Sequence, residues 1–345
     1  MTNKNRIPIV MAADNHYRIP MLVSLLSILK NKSDNTTYTF YFLIPDDFDQ
    51  KIIEVTDRLL TDFQNEKAHF ISMEDRYRDE NLVIKHTATP TYYRLSLPEL
   101  IQEDKCIYLD VDTIILSDLH DLFTKQKDDE LISGVKAAGY YWPLITLKDK
   151  ADKLGIAKFD SYVNAGVLVM NLSLMRKMKI SKKCQTLLNK KWEGQDQDIL
   201  NSVCYDHIGI LPPKYNSMTK YLNHNSEYYD SDKVPFLKHC YSKEEWQEAC
   251  ENPLIVHYAD ELKPWDTLRV SYSHLWWKYL RLLDPYYPCY DDCFYKLYEK
   301  ENGESDQDPR FIKTLDELHS IQNSVSFKIG RIITFPLRKI RNRFR

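Results

Sequence analysis

The first 72 residues alternate between short apolar runs and longer helical segments, and this order constrains the fold more than any other feature of the chain. Strands are predicted at residues 7–13, 38–44 and 68–72, and helices at residues 19–30 and from the aspartates at 46, 47 and 49 to about residue 63. Pro20 suits the first turn of the first helix, and the aspartates offer N-caps for the second. Because parallel strands need crossover connections, this β-α-β-α-β order predicts a parallel, Rossmann-like sheet.

A glycine-rich loop is not available in this chain to hold phosphate groups. The sequence has only eight glycines. It contains neither the Gly-x-Gly-x-x-Gly pattern of dinucleotide enzymes nor the Gly-x-x-x-x-Gly-Lys pattern of P-loop enzymes. The sequence therefore argues against these two classes, and a bound metal ion is the obvious substitute for such a loop.

Two carboxylates stand within residues 105–116, at the end of an apolar run. The run is typical of an interior parallel strand, and ligands of open α/β sheets gather at the carboxyl ends of strands. Since side chains alternate along a strand, Asp110 and Asp112 are predicted to lie on the same side and to share one hard divalent cation. The alternative is ordinary turn chemistry after a strand.

Further elements are predicted downstream of the first three strands. Helices are expected at residues 91–97 and 195–204, and strands at residues 131–135, 162–171 and 253–258. The segment 265–300 is rich in Tyr and Trp and is predicted to be helical, and residues 301–308 are predicted to form a polar linker.

Five short motifs occur in order along the chain. They are Ala12-Ala13-Asp14, Asp110-Val111-Asp112, Asn164-Ala165-Gly166-Val167, Gln195-Asp196-Gln197-Asp198, and His257-Tyr258 followed by Lys263-Pro264-Trp265. In this order and spacing, residues 6–266 resemble glycosyltransferase family 8, the retaining GT-A enzymes that include bacterial lipopolysaccharide galactosyl- and glucosyltransferases and glycogenin. The resemblance implies an α/β GT-A fold, with a mixed, mostly parallel sheet flanked by helices and a helical C-terminal region.

The same resemblance implies a metal site. Asp110, Asp112 and His257 would bind a divalent cation that neutralises the leaving diphosphate of a UDP-sugar. A mixed set of oxygen and imidazole ligands suits Mn²⁺ better than Mg²⁺, with Mg²⁺ as the alternative. Without Lys263-Pro264-Trp265 behind it, His257 would be better explained as a core histidine on a strand.

The resemblance also implies a set of residues that contact the UDP-sugar donor. They are Ala12, Asp14, His16, Tyr17, Arg94, Asp110, Val111, Asn164, Ala165, Gly166 and Lys263. Asp14 would accept a hydrogen bond from the uracil imide, and Lys263 would contact the diphosphate. Two simpler roles stay open, which are Asp14 as a helix cap and Arg94 as a solvated helix residue.

Asp196, Gln197 and Asp198 are the candidate catalytic residues by this resemblance. Asp196 would orient the sugar hydroxyls, and Gln197 would face the anomeric carbon. An amide oxygen is a weak nucleophile, so a same-face attack in which the leaving phosphate takes the acceptor proton is favoured over covalent catalysis by Asp198.

The implied activity is transfer of a hexose from UDP-galactose or UDP-glucose to a hydroxyl of a lipid-linked, lipopolysaccharide or capsular polysaccharide acceptor. Two departures from the family pattern bear on it. Asp260 stands where the family has a glycine between His257 and Lys263. The segment 134–138, which ends at Ala138, lacks a carboxylate that relatives often carry. Two alternatives are open: a haloacid-dehalogenase-type phosphohydrolase with Asp110 as its nucleophile, or a non-catalytic protein that binds glycans or a membrane surface.

The charge of the chain is divided unevenly. Its net charge is −3, yet residues 326–345 hold seven basic and no acidic residues, interspersed with Ile, Phe and Leu. Such a segment is predicted to bind an anionic membrane surface. Since the remainder is acidic, nucleic-acid binding is not expected.

These features divide the chain into four predicted regions. They are a GT-A catalytic domain at residues 1–265, an aromatic-rich helical extension at 266–300, a polar linker or helix at 301–325, and the basic tail at 326–345. No apolar run approaches the ~18 residues that span a bilayer, no signal peptide is evident, and seven cysteines without a Cys-x-x-Cys pair fit reduced thiols. The expected location is the cytoplasm, with peripheral association with the inner face of the cell membrane.

Overall fold

The computed structural model describes residues 5–64, 68–73, 90–221, 226–232 and 234–301. The chain divides into two compact units, Met1–Ala259 and Asp260–Arg345. The predicted basic tail and most of the predicted linker before it lie outside the described residues.

The strands of the described residues form two sheets, both in the first unit. The strands are β1 (Asn5–Ala12), β2 (Thr36–Ile44), β3 (Ala68–Ser72), β4 (Cys106–Asp110), β5 (Thr113–Ile115), β6 (Ile132–Lys136), β7 (Val163–Met170), β8 (Ile208–Ile210), β9 (Ser217–Met218) and β10 (Ile255–His257). The larger sheet has the order β3-β2-β1-β4-β7-β6-β8, and the smaller has the order β5-β10-β9.

Along the described residues, α-helices lie between many of the strands and after the last strand. The α-helices are α1 (Arg18–Lys30), α2 (Gln50–Asp62), α3 (Pro90–Tyr93), α4 (Leu97–Leu100), α5 (His120–Thr124), α6 (Leu147–Leu154), α7 (Leu172–Lys177), α8 (Ile180–Gln185), α9 (Gln195–Val203), α10 (Ser226–Asp230), α11 (Pro235–Cys240), α12 (Lys243–Glu251), α13 (Ser273–Leu283) and α14 (Tyr290–Glu301). Short 3₁₀ turns lie at Arg94–Ser96, Ala138–Tyr141, Leu144–Thr146, Tyr205–His207 and Pro213–Tyr215.

The predicted β-α-β-α-β beginning is confirmed. β1 pairs in parallel with β2 and with β4, and β2 pairs in parallel with β3. Every residue of α1 from Pro20 to Leu29 is buried, because a helix that is apolar on all sides is covered on all sides. α2 has one buried face, and the side chain of Asp49 caps it by accepting a hydrogen bond from the Lys51 N–H.

β4 is an interior strand, as predicted, but it is parallel to its neighbour on one edge only, where it pairs with β1. β7 runs antiparallel to β4 and to β6, and β8 runs parallel to β6. An apolar run indicates that both faces of a strand are buried. It does not indicate whether the neighbouring strands are parallel or antiparallel. The resulting sheet is mixed and mostly parallel, as the resemblance implies.

The predicted helix at residues 91–97 is divided into three short turns: α3, the 3₁₀ turn Arg94–Ser96 and α4. Pro98 lacks the N–H that would continue an α-helical ladder to the carbonyl of Arg94. The turns carry Arg94 into the interior of the first unit, where its side chain is 3% exposed.

The smaller sheet brings a late part of the chain back to the end of β4. β10 pairs antiparallel with β5, with His257 opposite Thr113, and in parallel with β9, with His257 opposite Met218. Because β5 follows β4 after two residues, this pairing places His257 next to the two aspartates. The late strand predicted from sequence is therefore present, though shorter.

The second unit contains α13 and α14. Trp277 is buried, its indole N–H donates to the Pro264 carbonyl at 2.8 Å, and its ring meets that of Tyr290 edge-on at 5.9 Å. The predicted helical extension is confirmed for these two helices, while Pro285 and Pro288 lie in the break between them. In the part of the chain that the structure describes, no helix has both the length and the apolar character needed to cross a membrane.

Candidate active site

The carboxyl ends of β1 and β4 form the floor of the candidate site. Ala12, at the end of β1, pairs with Asp110, at the end of β4. Val111 and Asp112 form a turn before β5, and the Thr113 hydroxyl donates to the Asp110 carbonyl at 2.7 Å. The two carboxyl groups converge, as predicted. The cause differs from the predicted one: the turn brings them together, because β4 ends at Asp110 and the alternation of side chains along a strand does not extend to Asp112.

Asp110, Asp112 and His257 form one cluster of potential metal ligands. His257 Nε2 lies 3.2 Å from Asp112 Oδ1 and 3.8 Å from Asp110 Oδ2, and one ligand atom from each residue lies within 4.8 Å of the others. His257 is 2% exposed and Asp112 is 9% exposed. Two carboxylates held together at a partly buried place favour a positive charge between them.

Gly166 makes room for two of these ligand groups. A β-carbon at this position would lie 2.5 Å from Asp110 Oδ2 and 2.9 Å from His257 Nε2, which is closer than real β-carbon contacts allow. The glycine therefore makes room for the Asp110 carboxylate and the His257 ring. The donor set of the three residues fits a divalent cation.

Arg94 holds together the two acidic parts of the site. Its Nη2 lies 3.1 Å from Asp110 Oδ1, and its Nε lies 3.0 Å from Asp196 Oδ2. The Nε–H points to the Thr91 carbonyl at 2.9 Å, so the contact with Asp196 is one of charge. At 2% exposure, Arg94 is not the solvated helix arginine that the sequence left open.

Two further contacts fix the guanidinium group of Arg94. Its Nη1 donates to the Ala165 carbonyl on β7, and the guanidinium carbon lies 4.4 Å from the centre of the Tyr108 ring. Burial alone would lower the pKa of Arg94, but Asp110 and Asp196 raise it above its ordinary value. Arg94 is therefore a permanent positive charge in the floor of the site.

Asp196 has an unusual titration behaviour because of this environment. Burial raises its pKa to about 6, against the opposing effect of Arg94 and with an added increase from Asp110. The carboxyl group thus changes its charge within the range in which enzymes are commonly assayed.

The first turn of α9 is held against β7 by Asn201. Its Oδ1 accepts from the Val163 N–H at 2.8 Å, and its Nδ2 donates to the Val163 carbonyl at 2.9 Å and to the Gln197 carbonyl at 2.8 Å. These bonds place Asp196, Gln197 and the residues that follow beside the Asn164-Ala165-Gly166 segment.

Gln197 is held by hydrogen bonds on both ends of its side-chain amide. Its Oε1 accepts from the Ala165 N–H at 3.0 Å and from Asn164 Nδ2 at 3.1 Å. Its Nε2 donates to the Tyr162 hydroxyl at 2.9 Å. The amide oxygen is therefore occupied by two donors in this structure.

Asp198 is bonded through both of its carboxylate oxygens. The Tyr162 hydroxyl donates to Oδ1 at 2.6 Å, and the Gly194 N–H donates to Oδ2 at 2.6 Å. Burial raises the pKa of Asp198, and these two hydrogen bonds act in the opposite direction. Asp198 thus supports the start of α9 and the Tyr162 hydroxyl.

Sequence reasoning missed Asn216, Tyr162 and Tyr108. The Asn216 side chain lies between His257 Nδ1 and Asn164 Oδ1, at 2.8 Å from each, and it is 1% exposed. Tyr108 lies two residues before Asp110 in the segment already singled out, but Tyr162 and Asn216 belong to no motif of charged residues.

The segment after β1 makes local contacts. Asp14 Oδ1 accepts from the His16 N–H at 2.9 Å and from the Tyr17 N–H at 3.1 Å, in a turn that precedes α1. The N-cap of α1 is Tyr17 and no side chain caps the helix, so the helix-cap role that the sequence left open for Asp14 is wrong. His16 is exposed, and its ring meets that of Tyr17 edge-on at 5.5 Å. The second oxygen of Asp14 takes no part in either bond.

The remaining predicted positions are distributed over both units. Val111 is 7% exposed in the turn after β4, and Ala138 begins the 3₁₀ turn after β6. Lys263 and Asp260 belong to the second unit, and their roles toward the donor stay predictions.

Comparison with known proteins identifies related chains. The family Glycosyl transferase family 8 matches residues 8–269. The lipopolysaccharide 1,2-glucosyltransferase of Escherichia coli is 29% identical over 268 residues, which cover 73% of this chain and 71% of that protein.

Two solved structures share the fold. The galactosyltransferase LgtC, in complex with donor and acceptor sugar analogs, superposes with a TM-score of 0.66 and 22% identity over 80% of this chain and 96% of that chain. The bifunctional WbbM protein superposes with a TM-score of 0.71 and 22% identity over 85% of this chain and 52% of that chain, so this chain spans about half of WbbM.

Proposed function

This chain belongs to glycosyltransferase family 8, and we propose that it transfers a hexose from a UDP-sugar to a hydroxyl group of a saccharide acceptor. Asp110, Asp112 and His257 would hold a divalent cation, Mn²⁺ or alternatively Mg²⁺. The observation that carries the proposal is the convergence of these three ligand groups at the end of β4, beside a glycine that makes room for two of them.

The charges of the site support this reaction. A cation bound to the three ligands supplies Lewis-acid stabilisation of the leaving diphosphate. Arg94 offsets part of the negative charge of Asp110, and Lys263 would add a mobile positive charge to the diphosphate. The imidazole of His257 among carboxylate ligands favours Mn²⁺ over Mg²⁺.

The other predicted donor contacts are kept as part of the proposal. Asp14 would use the oxygen that does not accept from the His16 and Tyr17 N–H groups to bind the uracil imide. Ala12, His16, Tyr17 and Val111 would line the nucleotide site. Asn164, Ala165 and Gly166 would lie along the sugar, since they stand near the start of β7, where Asn164 and Ala165 hydrogen-bond to Gln197. Asp196 would orient the sugar hydroxyls.

Same-face attack is the mechanism that the hydrogen bonds favour. The Gln197 oxygen accepts two hydrogen bonds, which reduces the electron density available for attack on a sugar carbon. Both Asp198 oxygens are also bonded, so forming a covalent intermediate there would break the contact with Tyr162 or Gly194. The leaving phosphate would instead accept the proton of the acceptor hydroxyl.

The acceptor class rests on relatives. The Escherichia coli relative is named a lipopolysaccharide glucosyltransferase and the LgtC neighbour a galactosyltransferase. A glucose or galactose donor and a lipid-linked, lipopolysaccharide or capsular polysaccharide acceptor are therefore proposed for this chain.

The proposal is tested by measuring UDP release from UDP-glucose and UDP-galactose. Slow hydrolysis is expected with Mn²⁺ in the absence of an acceptor, because water can replace the acceptor hydroxyl. Addition of excess EDTA is expected to stop it. Undiminished release in EDTA would remove the metal from the proposal, and no UDP from any UDP-hexose would remove the donor class.

The same assay separates the alternatives. A phosphohydrolase would form an aspartyl-phosphate at Asp110 and cleave simple phosphate esters, neither of which is expected here. In the structure, Asp110 ends the fourth strand and contacts Arg94, whereas the nucleophile of that superfamily normally follows the first strand. A non-catalytic binding protein would release no UDP under any condition.

We also propose that the basic tail, residues 326–345, holds the enzyme at an anionic membrane surface on the cytoplasmic side. Its support is the sequence: each basic residue near such a surface contributes about 1 kcal/mol. Removal of the chain from Ser326 onward is expected to release the protein from vesicles that contain anionic lipid, and UDP release should persist. Equal partitioning of the full-length and shortened proteins at physiological salt would contradict this role.

A further inference from the structure

A continuous row of hydrogen bonds joins the candidate metal site to the first turn of α9. The row passes through His257, Asn216, Asn164, Gln197, Tyr162 and Asp198. All its donor–acceptor distances lie between 2.6 and 3.1 Å. Its ends are the ring of a potential metal ligand and a carboxylate.

Backbone groups fix the orientation of the amides in this row. A backbone N–H can only donate, so Asn164 Oδ1, which receives the Gly166 N–H at 3.0 Å, is an acceptor. In the same way Gln197 Oε1 receives the Ala165 N–H. Neither amide can be turned over without placing an NH₂ group against a backbone N–H.

These fixed amides determine the orientation of Asn216. The group of Asn216 that lies 2.8 Å from Asn164 Oδ1 has to be a donor, and it is therefore the NH₂ group. The oxygen of Asn216 then faces His257 Nδ1 at 2.8 Å. An oxygen at this distance requires a proton on Nδ1.

The consequence for His257 is a defined ring and a defined tautomer. With Nδ1 as donor, Nε2 is the nitrogen that faces Asp112 and Asp110, and its lone pair is the one that can bind a cation. Second-sphere hydrogen bonds of this kind set the tautomer and orientation of metal-binding histidines.

We propose that Asn216 is a positioning residue that keeps a proton on His257 Nδ1 and so directs Nε2 toward the cation site. The inference rests on the proposed function in one respect, namely that a divalent cation binds there. Asn216 acts through its two hydrogen-bond partners, the metal-ligand candidate His257 and the donor-contact candidate Asn164.

Protonation of the His257 ring can be measured in the wild-type protein without metal. Long-range ¹H–¹⁵N correlation spectra of ¹⁵N-histidine-labelled protein distinguish the two nitrogens, and comparison with His257→Gln assigns the resonances. A proton on Nδ1 is expected, whether or not Nε2 also carries one. A neutral ring with its proton on Nε2 alone would overturn the proposal.

Two substitutions of Asn216 separate its acceptor role from packing. Asn216→Ala removes the acceptor and is expected to weaken Mn²⁺ binding about 10- to 100-fold, measured by calorimetric titration with Mn²⁺ alone. Asn216→Asp keeps an oxygen opposite Nδ1, so its Mn²⁺ affinity should stay well above that of Asn216→Ala. Its second oxygen opposes Asn164 Oδ1, and a lower melting temperature is expected from that contact.

Gln126→Ala is the matched control. Gln126 is also a buried amide, 6% exposed. It donates to the Val169 carbonyl of β7, the strand that also carries Asn164. Its substitution should lower stability and leave Mn²⁺ affinity unchanged. Unchanged affinity in Asn216→Ala, or equal weakening in Asn216→Ala and Asn216→Asp, would contradict the proposal.

The outcome does not depend on turnover. If the wild-type protein releases no UDP, the proposed function fails, while the ring spectrum of His257 and the Mn²⁺ titrations still report on Asn216. If UDP is released but Nδ1 carries no proton, the proposed function stands and the role of Asn216 fails.

Discussion

Asp112→Asn is expected to reduce the rate of UDP release by at least about 100- to 1,000-fold, as the loss of one preorganised charge contact at a reacting oxyanion does. Asp112 is 9% exposed and lies 3.2 Å from His257 Nε2, so the substitution removes an anionic ligand and leaves the shape of the turn. Asp112 is a better target than Asp110, because Asp110 also pairs with Arg94 and its substitution would disturb two contacts.

The loss should appear in the metal dependence as well as in the rate. Titration with Mn²⁺ is expected to show weaker binding by Asp112→Asn, with a melting temperature close to that of the wild-type protein when no metal is added. Asp128→Asn makes the same chemical change at an exposed position and should change neither quantity. Wild-type UDP release by Asp112→Asn would exclude this residue from the site.

Arg94→Met is expected to destabilise the protein by about 3–5 kcal/mol, the cost of removing one partner from a buried ion pair. Arg94 is 2% exposed and faces two carboxylates, Asp110 and Asp196. Methionine fills much of the space of the arginine stem. The lost stability therefore reflects the removal of the charge more than a change in side-chain volume. Chemical denaturation of the wild-type and variant proteins measures it.

The effect of Arg94→Met should depend on pH in a defined direction. Burial raises the pKa of Asp196 to about 6, so the stability that this group contributes is present at low pH and is lost as the pH rises through its folded-state pKa. Without Arg94 this pKa rises further, and ionisation costs more. The destabilisation is therefore expected to be larger at pH 8 than at pH 5.

Arg176→Met provides the comparison. Arg176 donates to the carbonyls of Ile101 and Glu103, but its acidic partner, Asp104, is 92% exposed. A smaller loss with little pH dependence is expected. Equal losses in the two variants, or a loss in Arg94→Met that does not shrink on acidification, would show that Arg94 acts through packing alone.

The sequence predicted most of the central sheet because its elements carry strong local signals. β1, β2 and β4 are apolar runs with turn residues at their ends, and α2 has a single apolar face with Asp49 at its start. The antiparallel direction of β7 could not be predicted, since its apolar run reads the same in both directions. β5, β8 and β9 have at most three residues each and leave no periodic pattern.

The sequence predicted the site residues that are potential metal ligands and also belong to a motif. Asp110, Asp112 and His257 belong to motifs and do converge. The burial of Arg94 was not predictable, because its partners Asp196 and Ala165 lie far away in the sequence and on other elements. The position of Asn216 depends on the pairing of β9 with β10, a contact that no local pattern indicates.

The pairing of β10 with β5 also has a consequence for the order in which the site forms during folding. Asp110 and Asp112 are adjacent to a local turn, but His257 reaches them only when a strand from the end of the first unit closes the smaller sheet. Closing so long a stretch of chain is slow and is rewarded only once the contact is made. A cation that binds all three ligands therefore stabilises only the state in which the smaller sheet has formed. Its uptake marks completion of the first unit.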